Sequence, residues 1–150
     1  MMMSLRASFV AFATLILVNI SGCGDDDKGT NSNSIPPELV GTWTFQSATV
    51  DGVPFDLKYV LVWEPNTVLA RITVNGDGFV AYEELDTAGT VVRRETGTIE
   101  VNDDSFTVTS EIPIPQTGTW AVSENQLTIT TSVAGHPVVV IAIKEPAGSQ

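Results

Sequence analysis

The 150 residues include one cysteine, Cys23, one histidine, His136, and only seven lysines and arginines against eighteen aspartates and glutamates. A lone cysteine excludes an intramolecular disulfide, a cysteine cluster for zinc and a second thiol for redox exchange. The lone histidine precedes Pro137 in a turn between two strand-like runs, the setting of a loop residue rather than a general base. No Gly-x-Ser-x-Gly elbow, no glycine-rich loop leading into a helix and no His-Cys metal spacing occurs. Asn75-Gly76-Asp77-Gly78 lacks the later bidentate glutamate of a calcium loop and reads as a hairpin turn. The formal net charge of −11 removes nucleic acid and flat adsorption on anionic lipid from the partners to expect, since both need basic patches. Long apolar runs are missing too. The best of them, Ala7 to Val18, is interrupted by Ser8 and Thr14, is followed by Asn19, and falls short of the roughly 20 residues that span hydrocarbon. No later stretch keeps a helical period over ten residues or more. The expectation is no enzyme, no cofactor and no metal, with a carboxylate-pair hydrolase the one catalytic alternative that an acidic chain leaves open.

The first residues are the most informative for location. Met1 to Arg6 carries a cation, Ala7 to Val18 is almost wholly apolar, and Ile20-Ser21-Gly22 ends in small residues before Cys23, the three-part layout of a secretory signal. Ile20-Ser21-Gly22-Cys23 resembles a bacterial lipobox. The resemblance implies cleavage between Gly22 and Cys23 and a thioether made by the Cys23 thiolate, the natural nucleophile. It further implies a new amino terminus carrying three acyl chains, palmitate among them. One chain anchors reversibly and two or more anchor stably. Residues 1–22 then form the signal, and residues 23–35 the lipidated cysteine and a polar tether. Gly24 to Ser34 has no apolar side chain and cannot offset the entropy of ordering. A random coil of that length spans roughly 17 to 20 Å. Loss of residues 1–22 removes only Arg6 among the charged side chains, so the mature form is about one unit more negative. Within the tether, Asp25-Asp26-Asp27 is either a solvated acidic run or, by resemblance to the acidic signal of some Bacteroidota lipoproteins, an address to the outer membrane and the cell surface.

Pro36-Pro37 closes the tether and forbids a helix there. From residue 36 to residue 150 the pattern is the alternation of half-buried strands. Runs at Thr42–Thr49, Leu57–Trp63, Thr67–Val74, Phe79–Asp86, Val91–Val101, Ser105–Ile112, Thr117–Val122, Gln126–Val133 and Val138–Lys144 are separated by short turn signals such as Asp51-Gly52 and Ala134-Gly135. Eight or nine short antiparallel strands predict an all-β fold, either an up-and-down barrel or, as the alternative, a β-sandwich. Closure into a barrel removes the exposed edges that invite pairing between chains, which fits a monomer. Alternation assigns Trp43, Phe45, Leu61, Phe79, Ala81, Ile99, Val101, Phe106, Val108, Ile112, Trp120, Val122, Leu127 and Ile129 to the interior. The same rows continue into Ser47, Glu83, Arg93 and Glu95 and predict one polar end. Gly41 and Gly118 allow a bend or a close backbone approach, and Trp43 and Trp120 supply rings to plug one end of the barrel or to stack on a ligand.

Leu39-Val40-Gly41-Thr42-Trp43, Val74-Asn75-Gly76-Asp77-Gly78-Phe79 and Thr117-Gly118-Thr119-Trp120-Ala121-Val122-Ser123-Glu124-Asn125-Gln126-Leu127-Thr128-Ile129 resemble the small lipocalin-like domains carried by bacterial lipoproteins. The resemblance spans about Glu38 to Glu145, and the arginine that in full lipocalins packs over the first-strand tryptophan has no assigned counterpart. It implies a membrane-anchored binding module for a small apolar or amphipathic ligand in the bacterial cell envelope. Trp43, Phe45 and Trp120 would form an aromatic wall, with Glu83, Arg93 and Glu95 orienting the ligand. The alternative in another class is a solid barrel whose loops dock an envelope partner or a saccharide.

Overall fold

A computed structural model describes residues 34–110 and 114–146, all within a compact unit, residues 31–150. The signal, Gly22, Cys23, the aspartate run and the expected core residue Ile112 lie outside the described residues. The described residues form nine strands and one helical turn: β1 Gly41–Val50, β2 Val53–Phe55, α1 Leu57–Val60, β3 Leu69–Val74, β4 Phe79–Leu85, β5 Val91–Asn102, β6 Ser105–Thr109, β7 Thr117–Ser123, β8 Gln126–Val133 and β9 His136–Lys144. Every pairing is between antiparallel strands, and β9 returns to pair with β1 from Trp43 opposite Lys144 to Val50 opposite Val138. That pairing closes β1 and β3 to β9 into an eight-stranded barrel, while β2 is a short addition hydrogen-bonded to the far end of β1. The barrel is the expected architecture, and the closure rules out the open sandwich.

The turns follow from residues that tolerate positive φ. Asp51-Gly52 (φ 51° and 77°) and Ala134-Gly135 (φ 51° and 86°) supply two consecutive left-handed residues, the geometry that matches the twist of paired strands. Gly118 is required for another reason. A Cβ there would meet the backbone carbonyl of Thr130 and lie 3.1 Å from the Phe106 ring, so β7 approaches its neighbours at a distance only glycine permits.

The core is continuous from Ile35 to Ala142, with Trp43, Leu61, Tyr82, Val80, Val140 and Leu127 among its most deeply buried side chains. One end of the barrel is sealed by the segment before β1. The Trp43 indole N–H donates to the Leu39 carbonyl at 2.8 Å. The Lys144 ammonium lies 4.9 Å from the Trp43 ring centroid and donates to the Glu38 carbonyl at 3.1 Å. Lys144 on the last strand thus fills the place for which the sequence offered no arginine. Its stem runs so close to Gly41 (φ 140°) that a Cβ there would sit 2.7 Å from the Lys144 Cε.

Three expectations are corrected. Leu57–Trp63 is not a strand: the Asp56 carboxylate accepts the Lys58 N–H at 3.1 Å as an N-cap. Leu57 and Leu61, four residues apart, then turn one helical face to the core. In β1 a bulge between Phe45 and Ser47 reverses the facing of the strand, so Ala48 is buried and Ser47 is exposed. In β4 the register is displaced by one residue from the expected one. Val80, Tyr82 and Glu84 point inward, whereas Phe79 is exposed, Ala81 is buried but outside the core cluster, and Glu83 faces outward.

Candidate functional site

The end opposite Trp43 is built differently. There β1 passes to β3 through residues 51–68, which carry β2, α1 and a turn at Val62, whose φ of 50° is a conformation that β-branched side chains rarely adopt. Leu57 and Leu61 fasten this connection to the barrel, and the connection roofs the ends of β4 and β5.

Beneath the roof lies a polar network centred on Glu84. Its side chain has no exposed surface, and its carboxylate accepts the Glu64 backbone N–H at 2.7 Å, the Thr67 hydroxyl at 2.6 Å and the Tyr82 hydroxyl at 3.1 Å. The Arg93 guanidinium stands 3.7 Å from it. Four partners leave Glu84 well satisfied, as a buried carboxylate must be. Two of them belong to the roof, so the same carboxylate ties residues 64 and 67 to the barrel wall. Arg93 also faces Glu95 at 3.4 Å and Glu64 at 3.9 Å. Phe45 packs below, its ring centroid 6.3 Å from that of Tyr82.

Burial pushes the Tyr82 phenol far above its ordinary range, and the neighbouring Glu84 charge adds to the effect. The Trp63 indole N–H opposes this slightly from beside the Tyr82 hydroxyl, without the geometry of a hydrogen bond. Below about pH 10 both folded and unfolded chains keep the phenolic proton. Above it the unfolded phenol ionises first, the folded state binds more protons, and stability falls as pH rises. Tyr82→Phe is expected to flatten that alkaline loss, read as denaturant midpoints between about pH 9 and 11. An unchanged slope would assign the loss to another group.

Next to the network the roof is concave on its outer side. A groove of about 430 Å³ is lined by Lys58, Tyr59, Val62, Trp63, Glu64, Pro65 and Thr67. Glu64 and Thr67 therefore belong both to the groove and to the Glu84 network.

Of the residues singled out from sequence, Phe45, Arg93 and Glu95 come together at this end. Trp43 does not: it is wholly buried at the opposite, sealed end. Trp120 stands on the inner wall midway along β7, opposite Ile129, and its indole N–H is buried with no acceptor among the described residues. Glu83 is on the outside. It accepts from Arg71 Nε at 2.8 Å and lies 3.6 Å from Arg94, in a surface network that also includes Glu145 and the Thr44 hydroxyl. Glu83 and Glu84 thus stand on opposite faces of one strand and cannot act as a carboxylate pair. Glu84, Tyr82, Trp63, Glu64 and Thr67 were not singled out; Tyr82 and Glu84 share one row of β4, the row that the displaced register had turned outward. Among the described residues no group of three potential metal ligands converges, and no helix is long and apolar enough to cross a membrane.

The result is an eight-stranded antiparallel barrel with one end sealed by a first-strand tryptophan and a last-strand cation, and with a roofed polar opposite end. The chain belongs to the lipocalin-like domain family, which it matches over residues 39–141. Among solved structures it is similar to a mutant of the REP1-NXSQ fatty acid transporter, with a TM-score of 0.42 and 12% identity over 73% of this chain and 100% of that one. It is also similar to fatty-acid-binding protein 1 of Echinococcus granulosus, with a TM-score of 0.42 and 16% identity over 73% and 98% of the two chains. No curated protein matches.

Proposed function

We propose that this chain is a lipid-anchored protein of a bacterial envelope whose barrel holds a small apolar or amphipathic molecule at the Arg93 end. The observation that carries the reading is the asymmetry of the barrel. One end is shut by Trp43, Lys144 and Leu39, while the other is covered by a single short connection over a polar network and an adjoining groove. An apolar enclosure with a few placed polar groups is the usual form of a small-molecule site, and a lipocalin-like barrel fits that use. The buried, unpartnered Trp120 N–H offers a donor to a ligand acceptor within the wall.

The lipobox at Ile20 to Cys23 supports anchoring through Cys23, and Asp25-Asp26-Asp27 supports the outer membrane and its outer face. The described chain enters at the sealed end, where Ile35 packs near Gly78. The Ile99 N–H donates to the Gly78 carbonyl, and Ile99 stands six residues from Arg93 on β5, so the Arg93 end lies roughly 20 Å from that point. Cys23→Ala is expected to move the protein from the membrane to the soluble fraction. Its recovery in membranes with the signal removed would defeat the anchor. Residues 31–150 form one compact unit that contains the core and the barrel closure of the described residues, so they fold as a unit. Native mass spectrometry of residues 31–150 purified from the native host's lysate is expected to show a recurrent small-molecule adduct.

One observation favours a second reading, an interaction protein. Val53, Phe55, Tyr59, Val62 and Val68 are each about half to two-thirds exposed along the roof, more apolar surface than one connection ordinarily leaves in water. Absence of any adduct in the same spectra would favour it.

A further inference from the structure

Arg93 is the only cation that faces into the barrel among the described residues, and it is already outnumbered. Glu95, Glu84 and Glu64 stand 3.4, 3.7 and 3.9 Å from its guanidinium, so one positive charge meets three negative ones. Lys58, the next cation, is ion-paired with Asp56 at 3.0 Å. A carboxylate head group arriving here would add a fourth negative charge with no free cation to receive it. The same arrangement is favourable for a positive charge. Glu84 has its full set of partners, but Glu64 and Glu95 are respectively about half and one-third exposed.

The groove is an independent indication. Tyr59, Trp63 and Glu64 line it together, and aromatic rings with an adjacent carboxylate are the recognition set for ammonium groups. Tyr59 already receives one cation, the Lys58 Nζ, 4.9 Å from its ring centroid. We propose that the Arg93 end selects a cationic head group, an amphiphile bearing a primary or quaternary ammonium, with Tyr59, Trp63 and Glu64 as its seat and Glu95 and Glu84 as the negative field behind it. This rests on the small-molecule reading above and gives the ligand's polar end its sign.

Three probes with a common twelve-carbon tail separate the possibilities: dodecyltrimethylammonium, dodecanoate and dodecanol, each titrated below its micellar concentration into residues 31–150 and followed by tryptophan fluorescence and calorimetry. The ammonium is expected to bind about tenfold or more tightly than either of the others, a difference of at least 1.4 kcal/mol. Glu64→Gln, at an exposed position that leaves the core intact, is expected to bring the ammonium close to the alcohol. Glu100→Gln, on the outer face of β5, is expected to leave the ratio unchanged. Tighter binding of dodecanoate, or equal binding of dodecanol, would overturn the cationic selection while leaving a binding barrel. An equal loss in Glu100→Gln would reduce the effect to net charge and overturn it as well. Failure of all three probes to bind would sink the small-molecule reading and this inference with it.

Discussion

Glu84→Ala is expected to destabilise the barrel by about 3–4 kcal/mol, a large share of the 5–15 kcal/mol typical of a domain this size. The reasons lie in what the carboxylate leaves behind. The Glu64 N–H, the Thr67 hydroxyl and the Tyr82 hydroxyl all lose an acceptor, and each buried donor left unsatisfied costs about 1–3 kcal/mol. Arg93 keeps Glu95 and Glu64 and is partly exposed, which holds its share of the loss down. Because two of the lost bonds belong to the roof, the damage should be local before it is global. Amide exchange over residues 57–67 should quicken more than exchange in β8 and β9. Glu83→Ala, one residue away, is expected to cost about 1 kcal/mol or less, since its partners Arg71 and Arg94 sit on the solvated outer face. Denaturant midpoints for the two variants measure the difference directly. Equal losses would mean that the two neighbours do not face opposite ways.

That contrast also shows where a sequence is readable and where it is not. β5 was legible because Arg93, Glu95, Ile99 and Val101 form one row, and the other row, Arg94, Thr96, Thr98 and Glu100, has nothing to bury. β4 was not, because Phe79-Val80-Ala81-Tyr82 is apolar in both rows and Glu83-Glu84 acidic in both, so alternation could not choose. Three-dimensional context decided it: Gly78 (φ 84°) fixes the hairpin, and its carbonyl accepts the Ile99 N–H at 2.8 Å, which sets β4 against β5. In β1 the pattern held as far as Phe45, and the bulge beyond it left no mark in residue type. The helical turn was hidden because Tyr59, Val60 and Val62 prefer strands; the counter-signal was Asp56 with Leu57 and Leu61, a cap and an i, i+4 pair. The barrel and three of the polar-end residues could thus be read. The buried glutamate around which that end is built depended on a register only the folded hairpin specifies.

Trp43→Ala should be the most damaging single change in the domain, about 3–5 kcal/mol. The indole has no exposed surface, donates to the Leu39 carbonyl at 2.8 Å, and lies beneath the Lys144 ammonium. Deleting it removes the largest core side chain, leaves a cavity where three elements meet, and frees the segment from Ile35 to Val40 that it holds down. Two milder variants apportion the loss. Trp43→Phe keeps a ring but orphans the Leu39 carbonyl, for about 1–2 kcal/mol. Lys144→Met keeps the apolar stem over Gly41 while removing the charge, for about 0.5–1 kcal/mol. Because the partners of Trp43, the Leu39 carbonyl and the Lys144 ammonium, belong to neither the groove nor the Glu84 network, neither mild variant should change the ratio of ammonium to carboxylate binding. Midpoints falling in the order Lys144→Met, Trp43→Phe, Trp43→Ala at constant head-group ratio would establish that the sealed end contributes stability and takes no part in recognition. A ratio that collapsed with Trp43→Phe would show that the two ends are coupled through the core.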